Sequence, residues 1–409
     1  MNSTDSTGLL SLHAVGVRLF LLLSLLCASV APARGAVRQT ELPRVLVLHS
    51  DLSVPAYRAS LARAAEGRLE LSFVNAGALD GDTASGAAVD LVLFDVPHAS
   101  VLDAVFEQRH VEVRARGGAY VLVPGLDDVR RSALPSDLGA AATAGVPESA
   151  AERIRAYYRY GGRSNVRALV DALALRPWPA AGDRAGREGR PAPRTLPESG
   201  FYHPDRDELT GSLEDVLERL RGSAPEGAPT VAIAFHAGSL VADDVRWLDA
   251  TVRALERRGI LAYGFFGGRA DEDLFTNGTC LLRDGELAPA VDVIVNASLV
   301  FRAQQRRAEL ARIGVPVVQT LPSLDMDEAQ WAASEDGQPA SNISYYFASS
   351  ELAGMFDPLT ISARDTGSQA LEPIAAQVEA LADRIGGYVR LRRSSPAARE
   401  LAVFVYNYP

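Results

Sequence analysis

Lysine is absent from all 409 residues, and each of the 41 basic residues is arginine. A P-loop needs a lysine at the nucleotide phosphates and Schiff-base catalysis needs a lysine amine, so neither operates in this chain. Cysteine is nearly absent as well. Cys27 falls in an N-terminal leader, which leaves Cys280 alone and excludes an intramolecular disulfide or a thiolate metal cluster after processing. There is no Gly-x-Ser-x-Gly nucleophile site, no His-Glu-x-x-His zinc site and no dinucleotide fingerprint. With a net charge of −10 the chain has no excess of cations to release counterions from nucleic acid. Past the leader, no run approaches the roughly 20 apolar residues of a membrane helix.

What is present is the composition of a globular protein, 47% hydrophobic and 22% charged, long enough for two or three cored domains. Arg18 precedes the apolar run from Leu19 to Val30, and the small residues from Ala31 to Ala36 offer cleavage after Ala33, Gly35 or Ala36. Residues 1–36 therefore read as a signal peptide, and the product as exported, periplasmic or membrane-attached, with an uncleaved anchor as the alternative.

Strand-like and helix-like patterns alternate through the remainder. Residues 44–49, Arg-Val-Leu-Val-Leu-His, form a short apolar run of the buried-strand kind. Ser50, Asp51 and Ser53 are helix-start residues ahead of a helix over 54–65, and strands over 69–75, 89–97 and 119–123 and a helix over 101–108 follow. The same order recurs later: a strand over 230–236 ending in His236, a helix over 243–258 stopped by Gly259, strands over 260–266 and 291–298, a helix over 302–312 and a strand over 315–320. This alternation predicts an α/β protein of two flavodoxin-like lobes, each a doubly wound parallel sheet covered on both faces, over 40–145 and 201–366. Residues 146–200 join them as a helical segment, 148–173, and a Pro-, Gly- and Arg-rich linker, 177–200. Residues 369–391 read as a helix and 400–406 as a strand, so that 367–409 begin a further domain that the chain does not complete.

Several short motifs follow one another in a particular order. The first is Tyr157-Tyr-Arg-Tyr-Gly-Gly-Arg-Ser-Asn165, with Gly161 and Gly162 between its aromatics and Asn165. Next come Gly200-Phe-Tyr202-His203-Pro204, the strand–helix–strand series of the second lobe, and Val315-Pro-Val-Val-Gln319. Then follow Trp331 with Ser334 and Gly337, Glu351 and Gly354 in Ser-Glu-Leu-Ala-Gly, and the terminal Asn407-Tyr408-Pro409. In this order, over 157–409, they resemble the N-terminal portion of the large subunits of cobaltochelatase and magnesium chelatase, while the first lobe matches by pattern only. The resemblance implies a corrin or porphyrin ring as substrate, and insertion or removal of a divalent metal such as cobalt, magnesium or iron. It implies no covalently bound cofactor, and ATP used only through partner ATPase subunits. Family members are much longer and carry their catalytic residues past the point matching Pro409, so no catalytic residue transfers and no activity is expected of this chain alone. Export departs from the usual reliance on cytosolic ATP and brings in membrane transport components as partners.

In open parallel sheets, ligands bind at the carboxyl ends of strands. His49 and His236 stand at such ends in matched places of the two lobes, suited to a metal or to ring carboxylates, or equally to local capping. Asp51, Asp95, His98 and Ser239 flank the same ends. His203 reads as a turn residue or a ligand, and Glu351 as a solvated acid or a partner contact. Arg153, Arg155, Arg159 and Arg163 form a basic cluster, suited to the carboxylates of a macrocycle or to the wet face of a helix, and Tyr157, Tyr158 and Tyr160 are core residues or a stacking surface. A reading from another class, a two-lobed solute-binding protein of an importer, fits the leader, the paired lobes and the missing catalytic motifs.

Overall fold

The computed structural model describes residues 42–50, 54–75, 89–95, 118–123, 143–175, 191–206, 208–222, 224–267, 273–400, 402–403 and 405. The leader over 1–36, Asp51, His98, the expected helix over 101–108 and Asn407, Tyr408 and Pro409 lie outside them.

The first lobe is wound from β1 (Arg44–His49), α1 (Pro55–Ala65), β2 (Glu70–Asn75), β3 (Leu91–Asp95), β4 (Tyr120–Val123) and the short β5 (Thr143–Ala144). Its sheet order is β2-β1-β3-β4-β5, with β5 antiparallel to β4 and the other pairs parallel. All residues of β3 and β4 are buried, as expected for strands covered on both faces. Helices α2 (Glu148–Tyr160) and α3 (Gly162–Leu173) complete this lobe and do not merely bridge to the next. Their Ile154, Tyr157, Tyr158, Val166 and Leu169 belong to the core of Val47, Leu61 and Leu93, and Tyr57 donates to the Tyr158 carbonyl at 3.0 Å. The corner between α2 and α3 places Gly161 and Gly162 at φ +54° and +75°, the left-handed region that favours glycine. Asn165 then clips the following chain: its amide nitrogen donates to the carbonyls of Gly161 (2.8 Å) and Arg194 (2.7 Å), and its oxygen accepts the Arg194 N–H (2.9 Å). The first motif is thus a folding element, since Tyr157 and Tyr158 are buried and its glycines and asparagine shape the corner.

The second lobe begins with β6 (Gly200–Tyr202) and α4 (Leu213–Arg221). It continues through β7 (Thr230–Ala234), the single turn α5 (Gly238–Val241), α6 (Arg246–Glu256), β8 (Leu261–Phe266) and α7 (Leu274–Thr279). A hairpin, β9 (Cys280–Arg283) and β10 (Glu286–Pro289), precedes β11 (Val293–Asn296), α8 (Ala303–Ile313), β12 (Val317–Ser323) and α9 (Glu328–Ala333). A π-helical segment (Ile343–Ala348) leads into α10 (Ser349–Leu352), β13 (Phe356–Arg364), β14 (Leu371–Pro373) and α11 (Ala375–Arg393). The sheet order is β14-β13-β12-β11-β7-β8-β6, antiparallel only at its two outer strands. Leaving those aside, β7, β8, β11 and β12 repeat the winding of β1, β2, β3 and β4, so both lobes are flavodoxin-like as expected. Successive residues face opposite layers. Val231, Ile233, Val293 and Val295 meet α6 and α11, whereas Ala232, Ala234 and Ile294 meet α4, α7 and α8.

Three expectations need correction. Helix α11, expected outside the second lobe, packs into its core through Val378, Leu381, Ile385 and Val389, and Arg393 grips Asp292 at 2.8 Å. Residues 371–373, read as helix, form a strand paired antiparallel with β13, because Pro373 and Ile374 stay extended and the helix starts only at Ala375. The described residues of the expected terminal strand are in no sheet, with Val403 and Val405 at 74% and 89% exposure.

The lobes meet through polar contacts. Ser60 donates to Asp243 at 2.9 Å and Arg163 to its other oxygen at 3.2 Å, holding Asp243 at φ +52°. The neighbouring Asp244 is buried and accepts the Leu371 N–H at 2.9 Å. Burial pushes its carboxyl up, against the pull of that N–H, Arg364 and Arg63 and with a push from Glu372. Burial raises Asp249 as well, although Tyr202 donates to it at 2.7 Å. The folded state therefore holds these protons more readily than the unfolded chain does, and their contribution to stability falls as pH rises from about 4. Asp244→Asn keeps the acceptor without the charge; it should melt no lower than the parent near neutral pH and flatten this dependence. Asp244→Ala, which strands the Leu371 N–H, should cost about 1–3 kcal/mol in urea unfolding.

Candidate functional site

The order of the second sheet reverses between β7 and β11, and a cavity of about 300 Å³ opens beyond the carboxyl ends of these strands. Beyond β7 the chain turns at His236, where the Gly238 N–H donates to Nδ1 at 3.0 Å, so the neutral ring carries its proton on Nε2. A Cβ at 238 would lie 2.7 Å from that nitrogen, hence the glycine. His236 caps the turn, one of its two sequence readings, and also lines the cavity. Ser239 lines the cavity beside it.

Beyond β11 the wall is set by buried amides. Asn296 donates to the Gln319 side chain and to the Ser298 carbonyl, both at 2.8 Å, while Thr320 donates to the Asn296 carbonyl at 3.2 Å. Apolar side chains supply most of the remaining lining: Phe235, Trp247, Phe275, Leu299, Phe301 and Ile361. Leu299 and Phe301 are 41% and 50% exposed and form an apolar lip. Tyr346 reaches the lining from the π-helical segment, a distortion often found at functional sites; burial raises its phenol. Arg306, from the first turn of α8, is the one charged side chain in the described lining.

In the first lobe the described residues at the matching strand ends are buried. His49 is buried and its Nδ1 donates to the Ser50 carbonyl at 3.0 Å. Asp95, paired in register with His49, is buried beside Tyr57 and Tyr158, whose phenols are pushed well up, first by burial and then by this carboxylate. Neither His49 nor Asp95 lines the cavity, so the structure does not gather the two matched histidines into one lining.

The other predicted residues have local roles. His203 is buried, with Nε2 donating to Glu256 at 3.0 Å and Nδ1 accepting the Asp205 N–H at 3.3 Å. His203, Asp205 and Glu256 bring potential ligand atoms within 4.8 Å of one another, a spacing a metal could use. Both ring nitrogens are already engaged, however, and Arg253 pairs with both carboxylates, 2.7 Å from Glu256. The same arginine holds the Asp205 carboxyl below its usual range. A divalent ion would have to displace that guanidinium, so the set is a closed ion network. Pro204 follows as a turn residue. Trp331 sits in α9 behind the capping box of Asp327 and Gln330, Glu351 is exposed on α10, and Gly354 takes φ +87° just after it. Burial raises the thiol of Cys280, which lies in a second recess under the β9–β10 hairpin, so it is no ready nucleophile.

With this geometry in view, comparison with known proteins places the chain. A family model described as CobN/Magnesium Chelatase matches residues 155–409, and the chain belongs to that family. It is 27% identical over 273 residues to the CobN subunit of the aerobic cobaltochelatase of a Sinorhizobium species, covering 63% of this chain and 20% of that protein. It is 25% identical over 275 residues to a magnesium-chelatase subunit of Rhodobacter capsulatus, covering 62% of this chain and 22% of that protein. The chain therefore spans about a fifth of the length of these relatives. Among solved structures, the catalytic subunit of cobaltochelatase from Mycobacterium tuberculosis superposes with a TM-score of 0.63 at 19% identity, over 87% of this chain and 28% of that one. That likeness confirms the fold, and it includes much of the first lobe, which the family model leaves out.

The ion network around His203 makes a direct prediction. Zinc or cobalt should leave the melting temperature of the protein unchanged, and a metal-dependent rise would show that the three ligands do open. His203→Ala, which removes one of the two partners of Glu256, should cost about 1–3 kcal/mol of stability.

Proposed function

We propose that this chain is the ring-binding N-terminal part of a metal-chelatase subunit of the CobN type, and that it holds a tetrapyrrole at the carboxyl edge of the second lobe. The observation that carries the reading is the apolar, aromatic-lipped cavity at the sheet's switch point, inside the segment matched by the family model. A flat, largely apolar ring suits walls of Phe235, Trp247 and Phe301, with His236, Ser239 and Tyr346 as the polar groups that fix its orientation. About 300 Å³ is at the small end for a ligand site, so the ring would be held by part of its edge and one face, with the rest open to whatever domain or subunit meets the lip.

On this proposal the metal, cobalt, magnesium or iron, is a co-substrate, and its insertion or removal needs groups that the described residues do not supply. Moving a divalent ion into a ring requires bases for the pyrrole protons and ligands for the ion. Among the described residues, the one cluster with suitable spacing is closed by Arg253. ATP would enter only through partner subunits, since the chain has no lysine for a P-loop. Export through the leader is part of the same proposal and fits metal removal as well as insertion. The importer-type reading loses its support to the family match, because its structural arguments, two lobes and a cleft, are met equally by a chelatase fragment.

Titration of a free-base porphyrin against the purified protein should shift its Soret band and saturate at one ring per chain. His236→Ala should weaken binding by about tenfold, the effect of one hydrogen-bonding group, and His49→Ala should not. No Soret change, or equal loss from both variants, would sink the assignment. Cobalt, magnesium and iron exchange into the bound ring should be undetectable with or without ATP; turnover by the isolated chain would place the chemistry in these lobes.

A further inference from the structure

We propose that Arg306, seated by Glu309, receives a carboxylate carried on the rim of the bound ring; this rests on the ring-binding reading above. Arg306 is only 8% exposed, yet it lines the cavity and is the one charged side chain in the described lining. Burying a guanidinium is costly unless it is paired and hydrogen-bonded. Here the pairing is arranged from behind. Glu309, one turn further along α8 and 1% exposed, forms an ion pair with Arg306 and does not itself line the cavity. Its other oxygen accepts the Thr276 N–H of α7 at 2.8 Å, which fixes the carboxylate and, through it, the arginine. The guanidinium carbon also lies 5.4 Å from the centre of the Phe275 ring, which lines the same cavity. A ligand therefore meets a cation positioned by Glu309, a carboxylate outside the described lining.

That arrangement selects a particular chemistry. A guanidinium is planar, offers five donors in a fork and matches a carboxylate with two parallel bonds. A described lining that is largely apolar and aromatic and holds one such cation fits a flat ligand with an acid at its edge better than a ring without acids. Arg306 would then decide which rings are accepted and how they are turned. A purely structural role, bracing α8 against α7, predicts no such preference among ligands.

The test uses a free-base porphyrin bearing two propionic acids, its dimethyl ester, the full chain, and two variants. Arg306→Gln alone leaves Glu309 buried and unpaired and risks unfolding, so Arg306→Gln/Glu309→Gln, a neutral hydrogen-bonding pair, is the main variant; Arg306→Lys keeps the charge without the fork. Melting curves confirm that each is folded. The parent should bind the acid about 10- to 100-fold more tightly than the ester, the value of a charge-assisted hydrogen bond. The double variant should bind the two alike, and Arg306→Lys should fall between. If both rings bind the parent equally, or the preference for the acid survives in the double variant, the inference about Arg306 is wrong while ring binding stands. If neither ring binds the parent, the ring-binding reading fails and takes this inference with it.

Discussion

Burying a parallel sheet on both faces leaves its strand ends as the places where a ligand can reach it. In the second lobe this constraint is complete: β7 and β11 are buried at every residue, with α6 and α11 on one side and α4, α7 and α8 on the other. Only where the winding reverses do the following loops part, and there the cavity forms. The groups around it follow from the same constraint. Strand ends release carbonyls and N–H groups that need partners in a buried setting. Asn296, Gln319, Thr320 and the Nδ1 of His236 supply them, and Asn296, Thr320 and His236 also line the site.

The first lobe obeys the same winding and reaches another outcome. At its matching strand ends His49 and Asp95 are buried, with Asp95 beside Tyr57 and Tyr158 of the core that α2 and α3 join. Its contribution to the site is support. Ser60 and Arg163 hold Asp243, which follows directly on the His236 turn and α5, in a left-handed conformation that costs of order 1–3 kcal/mol unless its surroundings enforce it. The first lobe thereby anchors one of the loops that frame the cavity.

How much of this could be read from the residues depended on the range of the signal. Buried strands and amphipathic helices are local patterns, so the two α/β lobes and most of their elements were legible. The duplicated order pointed to both carboxyl edges and to His236. Strands β13 and β14 were missed because Pro358 and Pro373 interrupt them and their pairing depends on the distant β12. Helix α11 was assigned to another domain because its apolar stripe does not say which sheet it covers. The site was less legible than the fold. Arg306 and Glu309 sit in Arg-Arg-Ala-Glu-Leu-Ala-Arg, which reads as the wet face of a helix; only the packing of α7 against α8 reveals them as buried. Gln319 left a clue, a polar residue in an apolar strand, whose meaning depends on Asn296 lying opposite it in register. His49 showed the opposite error, since matched position did not imply matched exposure.

Amide hydrogen exchange of the intact chain, with and without saturating free-base porphyrin, tests the location of ring binding most directly. If the second lobe's carboxyl edge is the site, protection should rise over 235–240, 296–301 and 343–348, the cavity's turn, lip and π-helical segment. Amides over 44–49 and 91–95 of the first lobe should exchange unchanged. Protection confined to the first lobe, or none anywhere at saturating ring, would contradict the account.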